Sequence, residues 1–172
     1  MDQSWWFTRF SQKYFLSMSV FLNSQKIVKD WIDYNGHMNV AYYVLIFDEA
    51  SEGMLNKFKM GAIDAKANNR STMVVESRIT YNNEVKENEE VDVYCNFFDH
   101  DKKRLVVRYE MYEKETKKLA ASLESMSLYI DLEKRKVTEF EQEKLDIMDK
   151  FINENKEKFN SENLVLSGKL KK

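Results

Sequence analysis

Hydrophobic and polar positions along this chain change period twice, and each change marks an element. Residues 24–32 read as a short strand. Over 40–58 the spacing turns helical: Val40, Tyr43, Phe47, Ala50, Met54 and Phe58 recur every three or four residues and define one face. The first half of that segment is apolar almost all round, which predicts a helix enclosed by other structure rather than laid on a surface. After a polar connection from Asn68 to Arg70, alternation takes over. It predicts strands at 72–81, 90–98, 104–112 and 118–131. In the third of these, Leu105, Val107, Tyr109 and Met111 share one face, and Val106, Arg108, Glu110 and Tyr112 the other. In the second, Val91, Val93, Cys95 and Phe97 share a face opposite Tyr94 and Phe98. The gaps are short, with a hairpin loop at 99–102, so an antiparallel meander is expected. Thr138-Glu139-Phe140-Glu141 has the form of a capping box, and Leu145, Met148 and Ile152 then share a helical face. The tail after Asn160 is expected to be loosely held.

The order strand, long helix, four strands, helix is α+β, with one sheet able to wrap around one helix. The opposite sheet face then needs solvent-compatible residues or a partner subunit. A length of 172 residues suits one domain. It divides into an N-terminal extension over 1–22, a domain over 23–135, and a C-terminal helix and tail over 136–172. Neither repeats nor low-complexity tracts interrupt it.

Composition narrows the function classes. With 43% hydrophobic and 13% aromatic residues the chain is not disordered. Its 27 basic and 29 acidic residues leave a net charge of -2, which provides no electrostatic footprint for nucleic acid. No stretch approaches the roughly 20 apolar residues of a membrane span. A single cysteine, Cys95, excludes an internal disulfide framework and suits a reducing, cytoplasmic setting. The first 22 residues carry Arg9 and Lys13, with Asp2 as the only acid before Asp30. They lack a signal peptide's long apolar core and cleavage site, so an extension is favoured over a targeting segment.

Candidate chemistry concentrates where the first strand ends and the apolar helix begins, in Asp33-Tyr34-Asn35-Gly36-His37-Met38-Asn39. Asp33 supplies a carboxylate. Gly36 permits positive φ or a close backbone approach. Asn39 is a good N-cap, and the helix start beyond it offers unpaired N–H groups and a positive dipole end. A carboxylate beside an oxyanion-stabilising helix terminus suits acyl transfer. Taken singly, each piece has a plainer reading: Asn35-Gly36 as a common turn, Asp33 as a turn or cap, His37 as a structural histidine. His37, His100 and Cys95 match no ligand spacing, so no metal is expected. Phosphate-binding glycine loops and serine elbows are missing from the sequence.

The pattern Asp33-x-x-Gly36-His37-x-Asn39, followed by Tyr43, Phe47 and Asp48, resembles the signature of hotdog-fold acyl-CoA thioesterases of the 4-hydroxybenzoyl-CoA thioesterase type. The resemblance runs from Gln25 to Leu132 and includes the strand order after the helix. The run from Trp31 to Asn39, with Ala41-Tyr42-Tyr43, is similar in wording to betainyl-CoA thioesterases associated with carnitine breakdown. Trp31 stands where many relatives carry a second acid, and Val40 where many carry a second Asn. The subgroup with a His-Gly-Gly motif and a helix glutamate is not matched, which favours Asp33 over Asp48 or Glu49.

This resemblance implies hydrolysis of a small acyl-CoA, with coenzyme A as part of the substrate and no separate cofactor. Asp33 attacks the thioester carbonyl or activates water. N–H groups from Asn39 to Ala41, through Val40, stabilise the oxyanion, while Gly36, His37 and Asn39 brace the turn and orient the substrate. A non-catalytic acyl-CoA or acyl-carrier binding module is the alternative on the same fold; Asp33 argues against it. A hotdog dehydratase is a third reading, without its expected acid and histidine pairing. Coenzyme A phosphates call for a basic rim, for which Arg70, Lys102, Lys103 and Arg104 are available beside their plainer role as solvated charge. Trp31, Tyr34, Tyr42, Tyr43 and Tyr81 form the expected pocket aromatics, able to cage a quaternary ammonium, with Tyr43 also claimed by core packing. The resemblance also implies a homodimer joined sheet edge to sheet edge with sites between subunits, or a homotetramer. The 90–98 strand, rich in β-formers, is the candidate edge.

Overall fold

The computed structural model describes residues 19–171. Six strands appear: β1 (Val20–Lys26), β2 (Arg70–Tyr81), β3 (Glu90–His100), β4 (Arg104–Glu113), β5 (Leu119–Asp131) and β6 (Lys136–Val137). The α-helices are α1 (Val40–Lys57), α2 (Ala62–Asn68) and α3 (Gln142–Asn155). The strands form one antiparallel sheet in the order β1-β3-β4-β5-β2, with β6 on β5. The sheet curls around α1. Tyr43, Phe47, Ala50 and Met54 of the expected stripe are buried, joined by Ile46 and by Phe58 just past the helix end. They meet Val91, Val93 and Cys95 of β3 and Leu105, Val107, Tyr109 and Met111 of β4. Full burial of each large apolar side chain contributes about 1.5–3 kcal/mol, so this interface dominates the fold. The architecture is therefore α+β, a sheet wrapped around a long helix with a C-terminal helix added.

Several expectations change in three dimensions. The first strand lies earlier, at Val20–Lys26, and starts within the stretch assigned to the extension; residues 1–18 of that stretch lie outside the described residues. Trp31 and Ile32 N–H groups bond back to Val28 and Lys29, closing a 3-10 turn where strand was expected. Only β3, β4 and β5 form a meander. β1 pairs with β3 along one side, so β2 takes the free edge of β5. The connection 82–89 crosses the end of the sheet, with Asn82 and Asn83 N–H groups on Ala120 O and Asn88 N–H on Ile27 O. Consequently β3 is interior rather than an edge; β1 and β2 are the edges.

A bulge between Cys95 and Phe97 reverses the faces beyond it. Phe98, not Phe97, follows Val91, Val93 and Cys95 into the core, and Phe97 joins an outer cluster with Val106, Met126 and Leu166. The C-terminal helix starts at Gln142 with Glu141 as N-cap, three residues later than the capping box placed it. Thr138 is instead held in extended chain by its N–H bond to Tyr129 O. The tail is docked, with Leu166 1% exposed. Helix α1 is covered on one side only: Val40, Val44 and Leu45 remain 54%, 47% and 39% exposed in the protomer. Among the described residues no helix is long and apolar enough to cross a membrane.

Candidate active site

The turn before α1 is held by its own backbone and by the crossover beneath it. Asp33 N–H donates to His37 O at 3.1 Å and Gly36 N–H to Asp33 O at 3.0 Å, closing a tight loop with Gly36 at φ +81°. Asn39 N–H reaches Trp31 O and Met38 N–H reaches Val85 O, both at 2.8 Å. Met38 and Val85 are essentially fully buried. The site turn is thus clamped between the chain that precedes it and the 82–89 connection.

Within this loop Asp33 Oδ1 accepts the Asn35 N–H at 2.8 Å. Its other carboxylate oxygen has no protein donor among the described residues. Asn39 caps α1, with Oδ1 accepting the Ala41 N–H at 3.0 Å. Tyr42 N–H bonds to Asn39 O. These bonds narrow the expected oxyanion donors: Asn39 and Ala41 N–H groups are used inside the protein, and Val40 N–H, first in the helix, is left unpaired. His37 Nδ1 lies 3.3 Å from Met38 O, which can only accept, so Nδ1 carries the proton of that pair.

A cleft of about 310 Å³ opens beside this turn. It is lined by Asp33 and His37 of the turn, Val40 and Tyr43 of α1, Tyr81 of β2 and the start of the crossover, Asn82-Asn83-Glu84. The Tyr43 and Tyr81 rings meet edge to face, with centroids 5.3 Å apart. Burial pushes both hydroxyls above their ordinary range. Glu84, which sequence reasoning passed over, adds a second carboxylate. The Lys86 ammonium hydrogen-bonded to it holds its carboxyl below the usual range, with a smaller contribution from His37. No local sequence signal marked Glu84, because only the crossover brings it under the turn.

Not every expected site residue is assembled here. Trp31 and Tyr42 stack on each other, centroids 5.1 Å apart, against the core and outside the cleft lining. Tyr34, at 96% exposure, points into solvent. Arg70 and Tyr81 stand at opposite ends of the 12-residue β2, about 36 Å apart along the strand. Lys102, Lys103 and Arg104 lie at the Arg70 end, Arg104 registering with Leu128 while Tyr81 registers with Ala121. Within one protomer none of the four borders the cleft. Arg70 pairs with Asp131 at 3.2 Å and Arg104 with Asp101 at 2.7 Å. A further cavity of about 380 Å³ lies along the α1–β2 groove beyond Val44 and Ile79 and does not include Asp33. Cys95 is fully buried and its thiol is pushed up to about 12 by burial, so it is no nucleophile. Among the described residues no group of three or more His, Cys, Asp or Glu is placed to hold a metal ion.

Comparison with known proteins bears on the family and the fold. The family model described as Thioesterase-like superfamily matches residues 27–151. A betainyl-CoA thioesterase of Pseudomonas aeruginosa is 29% identical over 119 residues, covering 69% of this chain and 75% of that one. A Rhizobium L-carnitine dehydrogenase/betainyl-CoA thioesterase is 29% identical over 106 residues, covering 62% of this chain and 21% of its own length. Among solved structures, a Staphylococcus aureus protein in complex with CoA superposes with a TM-score of 0.72 at 19% identity, covering 90% of this chain and 95% of that one. A 1,4-dihydroxy-2-naphthoyl-CoA thioesterase from Synechocystis superposes at 0.67 with 16% identity, covering 75% and 95%. At these identities the two structures establish likeness of fold.

Proposed function

Because the chain belongs to the thioesterase-like superfamily, we propose that it hydrolyses acyl-CoA thioesters, with Asp33 as the carboxylate that drives the step. One observation carries this reading. A half-bonded carboxylate and an unpaired helix N-terminal N–H share one cleft. The thioester carbonyl carbon is placed near Asp33, and its oxygen is turned toward Val40 N–H. Asp33 then either attacks the carbon itself or takes a proton from an attacking water. As the carbonyl becomes tetrahedral its oxygen gains negative charge, which Val40 N–H and the positive end of α1 stabilise. Collapse releases the coenzyme A thiolate. It leaves the free acid directly when water attacked, or an acyl–Asp33 anhydride that a water then hydrolyses to the free acid. Gly36, His37 and Asn39 hold the turn in register.

The acyl group is taken to be small, with betainyl-CoA as the first candidate. Support comes from the names of the relatives above and from the Tyr43–Tyr81 pair, whose ring faces attract a quaternary ammonium. The working form is a homodimer joined through β2. An antiparallel two-fold pairing of β2 sets the Arg70 end of one strand beside the Tyr81 end of the other. That pairing is how Arg70, and with it Lys102, Lys103 and Arg104, approaches a cleft as a phosphate rim. A cytoplasmic setting fits a lone, buried, unbridged cysteine.

Asp33→Asn tests the central claim. Turnover of a responsive acyl-CoA is expected to fall by roughly 10²–10⁴-fold, the range for losing a positioned acid or base, with the melting temperature retained. A folded D33N protein with near wild-type turnover overturns the assignment.

A further inference from the structure

We propose that Glu84 makes the Asp33 cleft selective for acyl groups carrying a positive charge, by serving as their counter-ion. The proposal rests on the thioesterase reading above and deepens it by assigning the charge of the substrate. Two carboxylates, Asp33 and Glu84, line the cleft, together with His37, Tyr43 and Tyr81; among the described residues no lysine or arginine does. Within the protomer the Arg70 and Lys102-Lys103-Arg104 positions sit at the far end of the sheet, and in the dimer proposed above they serve the coenzyme A phosphates.

The fold places no demand on the Glu84 side chain. Its described partner is the Lys86 ammonium at 3.0 Å, and the two side chains are 56% and 58% exposed. An exposed pair of this kind contributes little to stability and exchanges readily for another cation. Lys86 is itself anchored from its backbone, its N–H donating to Glu89 Oε2 at 2.8 Å, so its side chain is free to swing away. A trimethylammonium entering the cleft takes the place of that lysine. There it meets Glu84 and the Tyr43 and Tyr81 rings that line the same cleft, so charge–charge and charge–ring attraction add.

Reach supports the assignment as well. In a betainyl thioester the nitrogen is one methylene from the carbonyl carbon, so any counter-ion must share the cleft with Asp33. Glu84 is the second carboxylate that does. A neutral group of the same shape leaves Glu84 with Lys86 and gains nothing from it, while an acidic acyl group meets two like charges. Because its partner is a surface lysine and its side chain is more than half exposed, replacing Glu84 should leave folding intact.

The test compares betainyl-CoA with 3,3-dimethylbutyryl-CoA, which keeps the shape and lacks the charge, on the full-length wild type, Glu84→Gln and Glu84→Lys. For E84Q, kcat/KM with betainyl-CoA is expected to fall by roughly tenfold, while the neutral isostere changes by less than about twofold. E84K should deepen the first loss and spare the neutral substrate. Equal losses on both substrates overturn the proposal and make Glu84 part of the reaction itself; no loss on either overturns it too. Wild type that hydrolyses neither thioester defeats the thioesterase reading for these substrates. Calorimetric binding of the two to D33N and to D33N/E84Q still decides selectivity in that case. Tighter binding of betainyl-CoA that vanishes with Glu84 supports the counter-ion role, and equal binding rejects it.

Discussion

Gly36 shows how one residue sets the site. At φ +81° it occupies the left-handed region, and the space where a side chain would begin is open within 4 Å. A Gly36→Ala change therefore costs backbone strain alone, about 1–2 kcal/mol. It should lower the denaturant midpoint by a corresponding amount and reduce kcat more than it raises KM, since the Asp33 carboxylate shifts with the turn. A G36A protein unchanged in both stability and kcat contradicts the geometry. Asn39 acts at the same scale with the opposite effect on chemistry. By capping Ala41 it removes one donor from the helix start and leaves Val40 N–H as the free donor there among the described residues.

At the scale of elements, the C-terminal segment after α3 is the main departure from a loosely held tail. It crosses the outer face of the sheet, where Glu124 of β5 accepts the Val165 N–H at 3.0 Å and the Leu166 N–H at 2.6 Å. Leu166 packs on Val106 and Met126, and Phe159 on Phe97. Leu166→Ala should cost about 2–5 kcal/mol if the tail stays docked, and less if it peels away. In either event exchange of the Val165 and Leu166 amides accelerates while kcat holds, because the cleft lies at the α1 side of the sheet. Unchanged amide protection would contradict the packing.

The far end of the tail depends on pH. Burial pushes the Asp101 carboxyl up, but N–H groups of Lys171, Lys103 and Arg104 and the Arg104 guanidinium outweigh it and hold it below the usual range. A lowered folded-state value means this stabilisation is complete above the unfolded value of about 3.9 and is lost as pH falls through the folded one. Protection of the Lys171 amide should vanish over that acidic window and be flat from pH 5 upward; loss already near pH 6 would rule out Asp101 as the cause.

For the whole molecule, the proposed dimer rests on the exposed edge of β2. Val74, Val75 and Tyr81 are 61%, 53% and 46% exposed on that strand, next to the exposed Val40 and Val44 of α1. A strand of 12 residues with one side unpaired among the described residues, and with apolar side chains, is a template for a second copy. Light scattering at micromolar concentration should report a dimer. Val75→Lys should shift it toward monomer and lower turnover together with mass, because the proposed pairing is what brings the phosphate rim to the cleft. A fully active monomer would refute both the edge pairing and the role of Arg70.

Local spacing settled what depends on neighbours in the chain. Three- and four-residue recurrence placed α1, alternation assigned Leu105, Val107, Tyr109 and Met111 to the core face of β4, and the Asp33–Asn39 wording marked the site turn. Such signals are legible because the side chains of one helix or strand face are set by its own repeat. Tertiary structure decided everything that required a partner distant in sequence. The bulge after Cys95 sends Phe98 inward, a one-residue change that alternation cannot register. β2 joins β5 rather than β3 because β1 pairs with β3. The same crossover carries Glu84 beneath Asp33, while Tyr34 and the Trp31–Tyr42 stack stay out of the cleft despite lying beside the motif. Adjacency along the chain fixes where a backbone passes; which side chains line a cleft depends on how sheet order and twist fold the distant segments over it.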